Sequence, residues 1–236
     1  MSSRSIVPLR PYAVLITAGM SLLVLTKFIV VATDVWALRV FGKIDASPFY
    51  SPMSTSLDRE VSRLDRWLRF ADAADLLFFI YTAVVFIVFM HNAYRNIMQP
   101  VIANRRFSPG WTIGAFLIPV VNIVLPYSVM REIWQCSRAL IRSHVDGHWR
   151  EEERPLVLRL WWPTTLAAFF IMDFSEPLAP LFPRVGVVVI STWMHIVGVA
   201  LYLIAVGVTL AMVWKLSAMQ WRMLVNMRRE ETLRGR

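Results

Sequence analysis

Between Val185 and Trp214 the chain holds no Asp, Glu, Lys or Arg. A run of that kind exceeds the roughly 20 apolar residues that cross a bilayer as a helix, and a small water-soluble core has no room for it. Three shorter runs share the character: Tyr12 to Val31, interrupted only by Lys27; Leu76 to Met90; and Leu156 to Met172, with Arg159 near its start. The composition agrees, with 57% hydrophobic and 17% charged residues against about 45–50% and 25% in soluble domains. Disorder is excluded by that balance. The single cysteine, Cys136, excludes an intrachain disulfide and a multi-cysteine metal site. The expected fold is all-α, an integral membrane helix bundle forming one membrane domain over residues 1–236.

The net charge of +9 comes from basic residues that flank the apolar runs. In a membrane protein such residues stay on the cytoplasmic face, beside anionic lipid headgroups. The bilayer and its headgroups are therefore the expected partners. A protein partner is left open, and nucleic acid is not expected because no recognition motif accompanies the charge. The first apolar run is too long for a cleaved secretory segment and reads as a retained helix.

Along the chain, Asp34, Gly42, Asp45, Pro48, Ser51, Pro52 and Ser54 predict a loop over 34–56. Leu57, Val61, Leu64 and Leu68 then recur at helical spacing among charged residues, which predicts an amphipathic helix over 57–72 running straight into the second span near Asp75. Lys27 is near enough to one end of its span to snorkel. Trp161 and Trp162 read as interfacial anchors, and residues 215–236 as a basic tail.

The stretch from Trp111 to Met130 differs from the others. It is uncharged but carries Gly114, Pro119, Asn122 and Pro126. Each proline deletes a helical hydrogen bond, and a broken helix in lipid needs protein or a water-filled cavity to satisfy the freed carbonyls. The segment is therefore expected inside the bundle, either crossing with a kink or dipping in and returning. Two topologies follow: four spanning helices plus a proline-broken re-entrant segment, or five spans. The distribution of Lys and Arg gives nearly the same inside excess for both. Asn122 sits where a dipping hairpin would turn, which favours four spans.

The residues Arg106-Phe-Ser-Pro-Gly-Trp-Thr-Ile-Gly-Ala-Phe-Leu-Ile-Pro-Val-Val-Asn-Ile-Val-Leu-Pro-Tyr-Ser-Val-Met-Arg-Glu-Ile-Trp134 resemble the hallmark of a bacterial family of multi-pass membrane proteins filed as a domain of unknown function. Ala93-Tyr94-Arg95-Asn96 is similar to the end of that family's second span, while His91-Asn92 departs from it. The resemblance covers roughly residues 70 to 215 and implies no established activity. Family members with proline-rich or zinc-ribbon extensions ahead of the first span imply a cytoplasmic N-terminus. The expected location is thus the bacterial inner membrane, with both termini cytoplasmic.

Candidate polar contacts follow from these placements. His91, Asn92, Arg95 and Asn96 end the second span, and Arg131 and Glu132 follow the broken segment. A re-entrant path brings the two groups to one face, where Arg95 is expected to pair with Glu132; a crossing path holds them about 30 Å apart. Pro119, Asn122 and Pro126 define the break. His195 in the last span is either a relay group or a neutral histidine bonded to a carbonyl or hydroxyl, and the second is favoured because no facing carboxylate is legible. His144 and His148 are four apart but flank Gly147, so no metal site is expected, nor any cofactor. No nucleophile-and-base or phosphate-loop pattern occurs, so the chain is not expected to be an enzyme. It reads as a structural or interaction protein, the alternative being a small transporter or channel with a polar cavity around Asn122.

Overall fold

The computed structural model describes residues 6–45, 55–98, 104–142, 148–178 and 185–234. Every regular element among them is helical: α1 Arg10–Asp45, α2 Thr55–Asn96, α3 Trp111–Leu117, α4 Pro119–Asn122, α5 Leu125–Arg142, α6 Leu156–Leu178 and α7 Val185–Arg234, with a 3-10 turn at His148–Glu151. Among the described residues, three stretches are long and apolar enough to cross a membrane: Arg10–Trp36, Ser62–Asn96 and Trp193–Met227. Helix α6 carries a shorter apolar stretch, Leu156–Ile171. These features are compatible with a membrane protein.

Helices α1, α2 and α7 contain 36, 42 and 50 residues. At 1.5 Å per residue they reach about 54, 63 and 75 Å, beyond a hydrocarbon layer of about 30 Å. The length of α1 corrects the loop expected over 34–56: residues 34–45 continue the helix, and 46–54 lie outside the described residues. Between Pro11, in the first turn of α1, and Pro48 there is no proline, and adding a residue to an existing helix is far cheaper than nucleating one. The single Gly42 costs only about 1 kcal/mol. Helix α2 is continuous, as its periodicity predicts; Leu64 and Ala71 are buried while Arg63, Asp65 and Arg66 face outward. The expected basic tail is the helical end of α7 as far as Arg234.

The break falls where the prolines put it. Ile118, pressed by the ring of Pro119 out of the helical region, is extended at φ −93° and ψ 112°. One turn later the chain bends again through residues 123 and 124, and Pro126 sits in the first turn of α5, where its missing N–H is harmless. The segment is not uniformly interior, however. Thr112, Ala115, Pro126, Val129 and Met130 are buried, but Leu117, Val120 and Val124 at the apex are exposed. Apolar side chains at such an apex are suited to lipid contact, so only the arms need protein cover.

The helices pack as two units, Met1–Ala18 with Thr82–Pro163 and Gly207–Arg236, and Gly19–Tyr81 with Thr164–Val206. The first unit holds an aromatic core. Phe86 packs against Phe89, Phe116 and Trp161, and Phe116 meets Trp162 edge-on at 6.2 Å between centroids. Trp161 and Trp162 are 2% and 8% exposed, so they are core residues rather than interfacial anchors. Their indoles supply the area that bridges α2, α3 and α6.

Cys136 is fully buried in α5, and burial, aided by the nearby Glu132 carboxylate, pushes its thiol well above the ordinary range. Because the thiolate is the nucleophile, the folded chain in mild detergent should resist a maleimide, with no acceleration between about pH 7 and 9. Denaturation should release ordinary thiol reactivity. Fast labelling of the folded chain would contradict this packing.

Candidate functional site

In the first unit, polar side chains converge around the end of α2. Glu132, 4% exposed, accepts from the Tyr94 hydroxyl at 2.7 Å and from the backbone N–H groups of Arg106 and Phe107 at 3.1 to 3.3 Å. The Tyr94 hydroxyl also meets the Phe107 carbonyl oxygen. The loop carrying those amides turns at Asn104, whose φ of 58° is left-handed, a conformation that asparagine tolerates better than most residues. One turn earlier on α2, His91 Nδ1 is 3.2 Å from the Pro109 carbonyl and 3.3 Å from Thr112 Oγ1. Together these contacts tie the entry to α3 onto the last turns of α2.

A second cluster is built on two amides. Asn96 accepts from Val7 N–H and donates to the Val7 carbonyl, both at 2.8 Å, and donates to Gln220 Oε1 at 2.7 Å. Gln220 in turn donates at 3.0 Å to the Ala93 carbonyl and to Ser137 Oγ. Asn96 and Gln220 are each 2% exposed. Every heteroatom of both amides is therefore engaged, as buried amides require. The cluster joins the chain before α1, the end of α2, the middle of α5 and the last third of α7.

The second unit contains ionisable groups within its long helices. Lys27 pairs with Asp75 at 2.8 Å, their side chains 13% and 22% exposed, and Thr26 donates to the other Asp75 oxygen at 2.6 Å. The ring of Tyr202 lies 5.8 Å from Lys27 Nζ, a cation–π distance. Asp34 Oδ2 lies 2.8 Å from His195 Nδ1, at ion-pair range but without the alignment of a hydrogen bond. Asp72 is near enough to Asp75, Lys27, His195 and Asp34 to sense their charges. Lys27 and Asp34 are two helical turns apart, so α1 aims both at one side.

The expected residues fare unequally. Arg95 is exposed and does not pair with Glu132; its neighbour Tyr94 takes that place, because a tyrosine hydroxyl enters a buried site without carrying a charge. Asn96 and Glu132 are both central. Pro119 opens α4, Pro126 opens the buried face of α5, and Asn122 Oδ1 is enclosed with no partner among the described residues. Arg131, half-buried, lines a cavity with Glu132. His195 does face a carboxylate, contrary to expectation, since Asp34 lies on a helix instead of in a loop. Lys27 is paired instead of snorkelling. His144 lies outside the described residues, and among those described no three His, Cys, Asp or Glu side chains gather as a metal site.

A family model described as Domain of unknown function (DUF4328) matches residues 54–218. The chain belongs to this family. No curated protein and no solved structure matches it. The DUF4328 region includes Asp75, Tyr94, Asn96, Glu132 and His195, whereas Val7, Lys27, Asp34 and Gln220, each a partner to one of these clusters, lie outside it.

Sequence reasoning did not pick out Gln220 or Gln135, and it named Tyr94 only within the family resemblance and Asp34 only as a loop residue. A signal existed for Gln220, an amide on the helix that leaves the longest apolar run, but no spacing identified its partner.

Replacing Tyr94 with Phe should cost about 1 kcal/mol and replacing Glu132 with Ala about 2–3 kcal/mol, because the latter removes the acceptor of the Tyr94 hydroxyl and of two backbone N–H groups at once. Thermal unfolding in detergent measures both, and equal, negligible losses would contradict the network. In the second unit, Lys27→Met and Asp75→Leu should be less harmful together than their separate effects sum to, with a coupling of about 1–3 kcal/mol. Strict additivity would show that the pair contributes nothing.

Proposed function

We propose that this chain is a four-span protein of the bacterial cytoplasmic membrane with both termini inside. Residues 111–130 re-enter the face they leave, and the role is structural or interactive rather than catalytic. The observation that carries this reading is the 2.7 Å bond between Asn96 and Gln220. On a five-span path, the end of the second span and the start of the C-terminal segment lie on opposite faces, about 30 Å apart. On a four-span path with a re-entrant hairpin they share a face, along with Val7 and Ser137, which both belong to the same cluster. Glu132 held by Tyr94 supports the hairpin in the same way. The 23 residues of α6 reach about 34 Å, enough for the remaining span.

The interactive role is supported by how the polar groups around the break, Asn122 Oδ1 apart, are directed at one another: the indole N–H of Trp162 donates at 2.7 Å to the Ile123 carbonyl at the turn. A satisfied network rigidifies, and the basic surface beside it is suited to anionic headgroups or an acidic partner. Transport is the second reading, favoured by one observation, the unpartnered Asn122 Oδ1.

Single cysteines at positions 104, 122 and 144 in a Cys136→Ser background test both readings. Positions 104 and 144 should label together, from the cytoplasmic side only, with a membrane-impermeant maleimide, and 122 should stay unlabelled by a small water-soluble thiosulfonate. Labelling of 104 and 144 from opposite sides would establish the five-span path. Rapid labelling of 122 would establish a hydrated route and favour transport.

A further inference from the structure

A cavity of about 290 Å³ opens on the first unit, and four arginines line it: Arg106, Arg131, Arg150 and Arg154, with Gln135 and Glu132 between them. Arg106, Arg150 and Arg154 are exposed and Arg131 is half-buried, so solvent screens their mutual repulsion, and the cluster leaves a concentrated positive potential that favours an anion. Among the described residues no carboxylate pairs with any of the four. Two of the neighbouring acids are engaged elsewhere, Glu152 with Arg138 and Arg142 and Glu153 with Arg138, each at 3.3 Å. Glu132 has its oxygens turned to the Tyr94 hydroxyl and to two backbone N–H groups.

The wall is also held in shape. Gln135, 2% exposed, donates to the carbonyls of Arg150 and Glu152 at 2.9 and 2.8 Å. The Arg150 guanidinium lies 5.1 Å from the ring centroid of the buried Trp149 and donates to the Asn104 carbonyl at 3.0 Å. Arg106 has its backbone fixed by Glu132 and its guanidinium 5.4 Å from the Phe107 ring. Arg131 and Arg154 complete the wall, and among the described residues no group claims their forks. Arg106 and Arg150 are therefore positioned before binding, whereas Arg131 and Arg154 are ordered by the ligand itself.

We propose that this cavity binds a phosphate monoester or free phosphate, with its oxygens not masked by a bound cation, either on an anionic phospholipid headgroup or on a small soluble phosphate. Arginine forks match the oxygens of phosphate two at a time. The volume is near the lower end, about 300 Å³, of small-molecule pockets, which suits a headgroup better than a whole nucleotide. The cavity is also one contact from a membrane-length helix, since Glu132 in its wall is bonded by Tyr94 near the end of the stretch Ser62–Asn96. This inference deepens the reading of a basic cytoplasmic surface, and it rests on that reading only for which leaflet supplies a lipid.

The test uses the purified full chain in non-ionic detergent, with binding of phosphatidic acid, phosphatidylcholine and inorganic phosphate counted by native mass spectrometry. Topology plays no part in it, so failure here and failure of the cysteine mapping are separable. Phosphatidic acid should bind about tenfold or more tightly than phosphatidylcholine, and Arg131→Gln with Arg154→Gln should remove that preference. The pair Arg131→Lys with Arg154→Lys, which keeps charge and is the safer folding variant, should restore only part of it. Lys215→Gln with Arg222→Gln on α7 should leave it intact. Displacement of the lipid by inorganic phosphate identifies a site open to soluble phosphates; no displacement identifies a headgroup site. Equal binding of the two lipids, full rescue by lysine, or an equal loss in the α7 variant would each overturn the proposal, because general surface charge would then suffice.

Discussion

Two side-chain amides, Asn96 and Gln220, hold together parts of the chain that are far apart in sequence. In an apolar interior an amide without partners costs several kcal/mol, so it is stable only where all its donors and acceptors are met at once. Asn96 meets that condition only with Val7 beside it, and Gln220 only with Ala93 and Ser137 in place. The consequence is register. A one-turn slip of α7 along α2 moves Gln220 by about 5.4 Å and strands the groups on both sides. Apolar contacts, which dominate the rest of these helices, tolerate such slips far better because they have no direction.

The same logic governs the charges of the second unit. A lone Lys27 or Asp34 in a span is costly, and pairing with Asp75 or His195 lowers the cost without removing it. Such pairs are weak evidence of stability, because hydrophobic replacements of similar volume often pack as well. They are stronger evidence of specificity, since each fixes which helix faces which. Lys27 and Asp34, two turns apart, point to different partners on α2 and α7, and so set the rotation of α1 about its own axis.

Helix content, the long continuous α2 and the position of the break were legible in the sequence because each depends on local chemistry: periodic apolar residues, uncharged runs, and prolines that delete N–H groups. Partners were not. Arg95 looked like the natural mate of Glu132, yet a charge pair there would have to be desolvated, and the neutral hydroxyl of Tyr94 and two amides meet the same carboxylate more cheaply. Asp34 looked like a turn residue because aspartate and glycine are common in turns; the helix carries on through it, and its partner His195 is more than 150 residues away in the chain. Trp161 and Trp162 carry the composition of a membrane interface but the environment of a core. In each case the missing information was the rotation and register of one helix against another, which no single-strand pattern contains.

The proline-broken segment shows how local and distant requirements divide the labour. Pro119 and Pro126 fix where the helix stops and restarts, and that much is steric. They leave carbonyls at the bend, and the Ile123 carbonyl finds its donor in the Trp162 indole on α6. The same indole packs edge-on against Phe116 on α3. One side chain thus supplies the polar partner and the apolar contact that hold the bend, while the exposed Leu117, Val120 and Val124 at the tip need only an apolar surrounding. A bend with an apolar tip and a polar girdle is stable at an oil–water boundary and unstable in bulk water. That contrast is what the proposed membrane-face placement of the bend rests on.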